Sequence, residues 1–143
     1  MPFRYHPIAQ VVIWRGDPTN KPSLRRVGIL FSAGPAKCYL IQAWTTHDTI
    51  PVMTYTRKLS DFENLIDAGD IIERFDIGKT TPWATMGRIV EWFENPNSPV
   101  NDYQTKSGQE FIIGLINTLG WIDWFDLKDT DAAKKRLKDS LKE

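Results

Sequence analysis

The chain predicts an α+β fold, with a mostly antiparallel sheet of about four to six strands followed by C-terminal helices packed on one face. Strand-like runs fill the first half and helical periodicity fills the second. No regular β-α-β alternation joins them, which argues against a parallel sheet. At 143 residues, with 41% hydrophobic and 25% charged residues, the chain has the size and composition of one globular domain. No linker or internal repeat divides it, and residues 129–143 read as a peripheral C-terminal helix.

The strands come first. Gln10–Arg15 is an apolar run closed by a turn-forming stretch with Gly16, Pro18 and Pro22. Arg26–Phe31 and Lys37–Trp44 flank Ser32-Ala-Gly-Pro-Ala36, a short loop of turn-favouring residues, and so predict a β-hairpin. Ile50–Thr56 contains Pro51, which removes a ladder donor and places this run at an edge or a strand start. Ser60 and Glu63 form a capping-box pair opening a short helix that Gly69 ends. Asp70–Asp76 completes the strand set, with Gly78 after it.

The helices follow. Thr81-Pro82 supplies a cap and a first-position proline, after which Trp83, Met86, Ile89, Val90 and Phe93 share one helical face. Asn95-Pro-Asn-Ser-Pro99 stops that helix. Ser107 with Glu110 opens the next; Phe111, Ile112, Leu115, Ile116 and Leu119 form its apolar stripe, and Gly120 is placed as its C-cap. Trp121–Asp126 should then be irregular and fold back over the core. A last helix over Asp131–Lys142 has an apolar side of only Ala133, Leu137 and Leu141.

Composition narrows the function classes. Eighteen basic residues balance eighteen acidic ones, so no global field gathers nucleic acid or an anionic membrane. Cys38 is the single cysteine, which excludes intramolecular disulfides and cysteine zinc clusters. No apolar run has the length of a membrane span, and the first residues lack the apolar core of a signal peptide. A soluble, cytoplasmic protein without metal or cofactor is expected.

No phosphate loop, metal-ligand spacing or nucleophile elbow occurs. The candidates that remain are individual residues. His47 and Asp48, at the end of the third strand, are a base and a carboxylate of the types used in proton transfer, although neighbours in an extended chain face opposite ways. Among Asp67, Asp70, Glu73 and Asp76, a pair of carboxylates facing one pocket would suit acid–base work, with Glu73 as the chief candidate. Tyr103 is a further proton donor. Six tryptophans in so short a chain suggest aromatic walls for an apolar ligand, from Trp14, Trp44, Trp83, Trp121 and Trp124. Ser107 and Gln109 stand at a helix N-terminus, whose free amides suit an anionic or carbonyl group.

Arg26–Phe31, the helix near Ala84–Asn95 and the stretch Asn101–Phe111 occur in an order that resembles the circularly permuted papain-like group. That group includes lecithin retinol acyltransferase-like, PPPDE-like and bacterial NlpC/P60-type domains, and small fungal domains show similar patterns. Its members place a histidine on an early strand and a nucleophilic cysteine at the start of a later helix. Here Val27 or Arg26 stands at the histidine position and Gly108 at the cysteine position. The resemblance therefore implies the fold and denies the thiol reaction.

Three readings stay open. The first is a non-catalytic binding domain with an aromatic-rich pocket for a small apolar molecule or peptide segment. The second is a cofactor-free isomerase or cyclase acting on an apolar metabolite, with one or two of His47, Asp48, Asp70, Glu73 or Tyr103 as acid or base. The third is a protein-interaction subunit whose contact is the Trp121–Phe125 stretch.

Overall fold

A computed structural model describes residues 7–14, 25–34, 37–45, 51–56, 71–95 and 108–140. Five strands, β1 (Ile8–Trp14), β2 (Val27–Gly34), β3 (Lys37–Thr45), β4 (Pro51–Thr56) and β5 (Ile71–Gly78), precede three helices, α1 (Met86–Glu94), α2 (Gly108–Trp121) and α3 (Leu127–Ser140). Every pairing is antiparallel, in the order β4-β3-β2-β1-β5. The α+β class holds. Strands β2 and β3 form the expected hairpin, with Ser32 opposite Cys38 and a register shift before Gly34. The strand carrying Pro51 ends the sheet, with Pro51 opposite Thr45, where a missing ladder donor costs least. The Ser60–Gly69 helix lies outside the described residues.

Strand β1 shows why its sequence lacks alternation. Its Ala9, Val11 and Ile13 face the helices, while Val12 and Trp14 enter a second apolar layer with Leu30, Cys38 and Leu40. A strand buried on both faces reads as a continuous apolar run. Strand β5 alternates instead: Phe75 and Ile77 are buried, Ile72, Arg74 and Asp76 exposed. Its pairing with β1 shifts register between Asp76 and Gly78 and between Ile71 and Glu73.

All three helices pack on the face of Val11, Ile29, Phe31, Tyr39 and Phe75. Helix α1 starts four residues later than the Thr81-Pro82 signal suggests. Thr81 is already engaged: its N–H donates to the Trp124 carbonyl (2.9 Å) and its hydroxyl to the Asp123 carbonyl (2.6 Å). Pro82 instead occupies a turn closed by the Ala84 N–H on the Thr81 carbonyl (3.1 Å). Thr85 takes the capping role, accepting from the Arg88 N–H at 3.3 Å.

Gly120 is not the C-cap of α2. It lies within the helix, where a Cβ would stand 2.6 Å from Thr130 Oγ1 and 2.9 Å from Leu127 Cδ2, so its missing side chain lets α3 approach. The left-handed residue is Asp123, at φ 63°. The Trp124 N–H returns to the Leu119 carbonyl (3.1 Å) and the Asp123 N–H to the Gly120 carbonyl (3.2 Å), a Schellman ending with Trp124 and Leu119 sharing the core. Replacing Asp123 with glycine should raise stability by about 0.5–1 kcal/mol, because it relieves a conformation that side chains disfavour. Chemical denaturation would show this as a higher midpoint at unchanged slope; a lower midpoint would mean that the Asp123 side chain holds something in place.

Helix α3 begins at Leu127 rather than Asp131 because Asp126 caps it, Oδ1 accepting from the Lys128 N–H at 2.8 Å. Thr130, Ala133 and Leu137 form its buried side. Thr130 satisfies its own hydroxyl on the Leu127 carbonyl at 3.0 Å, which is how a polar residue sits buried at the α2–α3 crossing.

Candidate functional site

The end of β5 builds an open cleft. Gly78 has φ 151°, and a Cβ there would lie 2.5 Å from Asp129 Oδ2, so only glycine lets the strand end turn beneath the first turn of α3. The chain then runs through Lys79 and Thr80, where Thr80 bridges Phe125, into the Thr81 anchor. Pro7, Ile8, Asp76, Gly78, Lys79, Thr80, Pro82 and Asp129 enclose an open cleft of about 850 Å³. Its surface is mainly apolar, and Asp76, Asp129 and Lys79 add two carboxylates and one ammonium to the lining. On its outer side Gln10 bridges Arg74 and Asp76, accepting from Arg74 Nε (2.6 Å) and donating to Asp76 Oδ1 (2.7 Å).

Two large apolar side chains close in the chain to this lining are exposed, though neither is itself part of it. Trp83 follows Pro82 and is 58% exposed, and Leu127 begins the helix that carries Asp129 and is 55% exposed. The turn that presents Trp83 is held by the Thr81 bonds to Asp123 and Trp124, so the indole projects from a braced loop.

Those residues singled out in the sequence that are described do not gather at one place. His47, Asp48, Tyr103 and Ser107 lie outside the described residues. Glu73 is half-buried and pairs with Arg136 at 3.2 Å, while the Arg136 guanidinium lies 4.3 Å from the Phe75 ring centroid. Glu73 thus ties β5 to α3 and does not line the cleft; Asp76, from the same acidic group, does. Gln109 is half-buried in the first turn of α2, beside Gly108. Trp44 stands on β3 opposite Val52.

The remaining tryptophans occupy different environments. Trp14 is 1% exposed on the far face of the sheet, beneath the Arg26 guanidinium at 4.2 Å, with a buried Nε1 that has no acceptor among the described residues. Trp124 is 8% exposed on the helix face, edge-on to Trp92 at 5.5 Å between centroids. These two lie on opposite sides of the sheet and do not wall one pocket. Trp121 is 77% exposed. Trp92, which lay outside the predicted stripe, joins Phe93, Phe31 and Tyr39 in the main aromatic cluster. Tyr39, buried there, donates its hydroxyl to Glu94 Oε2 at 2.9 Å. Cys38 is buried with its thiol 3.8 Å from the Ser32 hydroxyl.

The cleft itself was missed in the sequence because its lining comes from three separate places in the chain. Gly78 was visible only as the residue after a strand, and Pro82 only as the first-position proline of a helix. No group of three or more His, Cys, Asp or Glu positioned to hold a metal occurs among the described residues. No helix there is long and apolar enough to cross a membrane. No family model, curated protein or solved structure matches the chain.

Proposed function

We propose that this chain is a non-catalytic binding domain that holds a segment of another protein in the Pro7–Pro82 cleft, with Trp83 as the anchor beside it. The observation that carries the reading is the pairing of an open, mainly apolar cleft of about 850 Å³ with an indole left 58% exposed on a braced turn. A concave apolar site with a few polar groups at its rim is the usual form of a binding pocket. Exposed tryptophan next to it is the side chain most often found at the energetic centre of an interface. The openness of the cleft suits an extended segment, whose ends must leave the site, better than a small molecule that needs enclosure.

The test is a peptide selection on the full chain, followed by titration of the best synthetic peptide. Trp83→Ala should weaken binding by about tenfold or more, the usual loss at an interface centre. Trp121→Ala, which removes an exposed indole that adjoins no lining residue in the chain, should change it little. Amide shifts on binding should map to residues 7–8, 76–82 and 129. A peptide that binds Trp83→Ala as tightly as the parent, or whose shifts fall elsewhere, removes the proposal.

A further inference from the structure

The outer edge of β5 carries a pattern that matches itself. Strand β5 ends the sheet order, so among the described residues its second edge has no strand beside it. Such an edge presents unpaired donors and acceptors and is a template for another strand. The register shifts at either end confine the regular stretch to Glu73–Asp76. That short stretch limits how a second strand can be laid along it.

Consider a second copy of this chain pairing antiparallel about a two-fold axis normal to the sheet. Such an axis leaves each residue on its own face, so the axis must pass through a directly opposed pair of identical residues. Centred on Arg74, the pairing sets guanidinium against guanidinium. Centred on Asp76 or on Glu73, it sets carboxylate against carboxylate. Centred on Phe75, it sets Arg74 opposite the partner's Asp76, Asp76 opposite the partner's Arg74, and like against like only at the apolar Phe75. One register of the four is attractive.

We infer that β5 is a self-association edge, and that two copies of this chain join their sheets through it, centred on Phe75 with reciprocal Arg74–Asp76 pairs. Opposed cross-strand charges stabilise such a pair, and opposed like charges destabilise it. Both side chains are already ordered on the outer face through Gln10, at 2.6 and 2.7 Å, which lowers the entropy lost on pairing. The same charges that guard the edge against promiscuous strands thereby select a second copy in one register. Charge complementarity commits the edge to this occupant. The inference does not rest on the peptide-binding reading, although Asp76 borders both surfaces.

Sedimentation velocity of the full chain from about 1 µM to about 1 mM covers the affinity range of a small interface. The wild type should show a monomer–dimer equilibrium within that range. Arg74→Asp sets four carboxylates across the two-fold and should weaken the dimer by about tenfold or more; Asp76→Arg does the same with four guanidinia. The double exchange Arg74→Asp with Asp76→Arg recreates both attractive pairs and should return the dimer to within about threefold of the parent. Circular dichroism confirms that each variant is folded before its association is read. A wild type that stays monomeric throughout overturns the inference. So does a dimer that ignores the single reversals, or a double exchange that fails to restore what each single reversal loses. Arg74 does not line the cleft, so a loss confined to dimerisation in Arg74→Asp is separable from any loss of peptide binding in Trp83→Ala.

Discussion

Phe93→Ala is expected to lower the unfolding free energy by about 3–5 kcal/mol, the range for truncating a buried aromatic. Phe93 is the meeting point of helix and sheet. Its ring lies 5.9 Å from that of Phe31 on β2, 5.9 Å from that of Tyr39 on β3 and 4.7 Å, edge-on, from that of Trp92. Truncation leaves a void walled by three rigid rings, which cannot collapse into it by changing rotamer. Small domains have only about 5–15 kcal/mol of stability, so the loss is a large fraction of the whole. Phe93→Leu keeps much of the volume and should cost well under half as much. Urea unfolding measures both. A Phe93→Ala loss below about 1 kcal/mol would mean that α1 is not packed on the sheet as described.

The second large effect lies on the other face. Trp14→Ala should cost about 3–5 kcal/mol, because it removes the largest member of the layer formed with Val12, Leu30, Cys38 and Leu40. Trp14→Phe should cost far less, about 1–2 kcal/mol, although it also removes volume. The difference comes from the ring, since phenylalanine keeps an aromatic side chain in this layer where alanine leaves a cavity. Both exchanges also remove Nε1, buried without an acceptor among the described residues, and an unpaired buried donor costs about 1–3 kcal/mol, so each loss is smaller than burial alone would give. The stacking of Arg26 on the ring survives the exchange, since phenylalanine also presents an aromatic face. Should Trp14→Phe prove as damaging as Trp14→Ala, the aromatic ring is not what holds this layer together.

Both effects concern residues whose burial could be read in the sequence, and the contrast with the cleft is instructive. Strand runs such as Gln10–Arg15 and the stripe of Phe111, Leu115 and Leu119 report burial directly, because periodicity records which side faces away from water. Pro51 identified its strand as an edge for an equally local reason. Helix ends were less legible. Thr81-Pro82 carries a valid start signal, but the Thr81 bonds to Asp123 and Trp124 outweigh it, and that contact joins residues 42 positions apart. Gly120 looked like a cap because a glycine near a helix end usually is one, while the helix crossing with Thr130 is invisible in one dimension. The site was least legible of all. Tryptophan count suggested one aromatic pocket, yet composition does not say which face of a sheet each ring enters, and Trp14 and Trp124 enter opposite ones.

The strand order also has a consequence for how the chain is made. β1 sits between β2 and β5, but Gln10 and its partner Asp76 are 66 positions apart. Closing a loop of that length carries an entropy cost on the order of 4 kcal/mol before the pairing returns anything. The meander β1-β2-β3-β4 needs only neighbouring segments and can form first. During synthesis, then, the edge of β1 that β5 will later cover stands open for several seconds while the intervening chain emerges. That edge belongs to Val11, Val12 and Ile13, the most apolar stretch of the sheet. The nascent chain is therefore most vulnerable to wrong strand pairing in the interval between β4 and β5, and a chaperone that shields growing chains would matter most there.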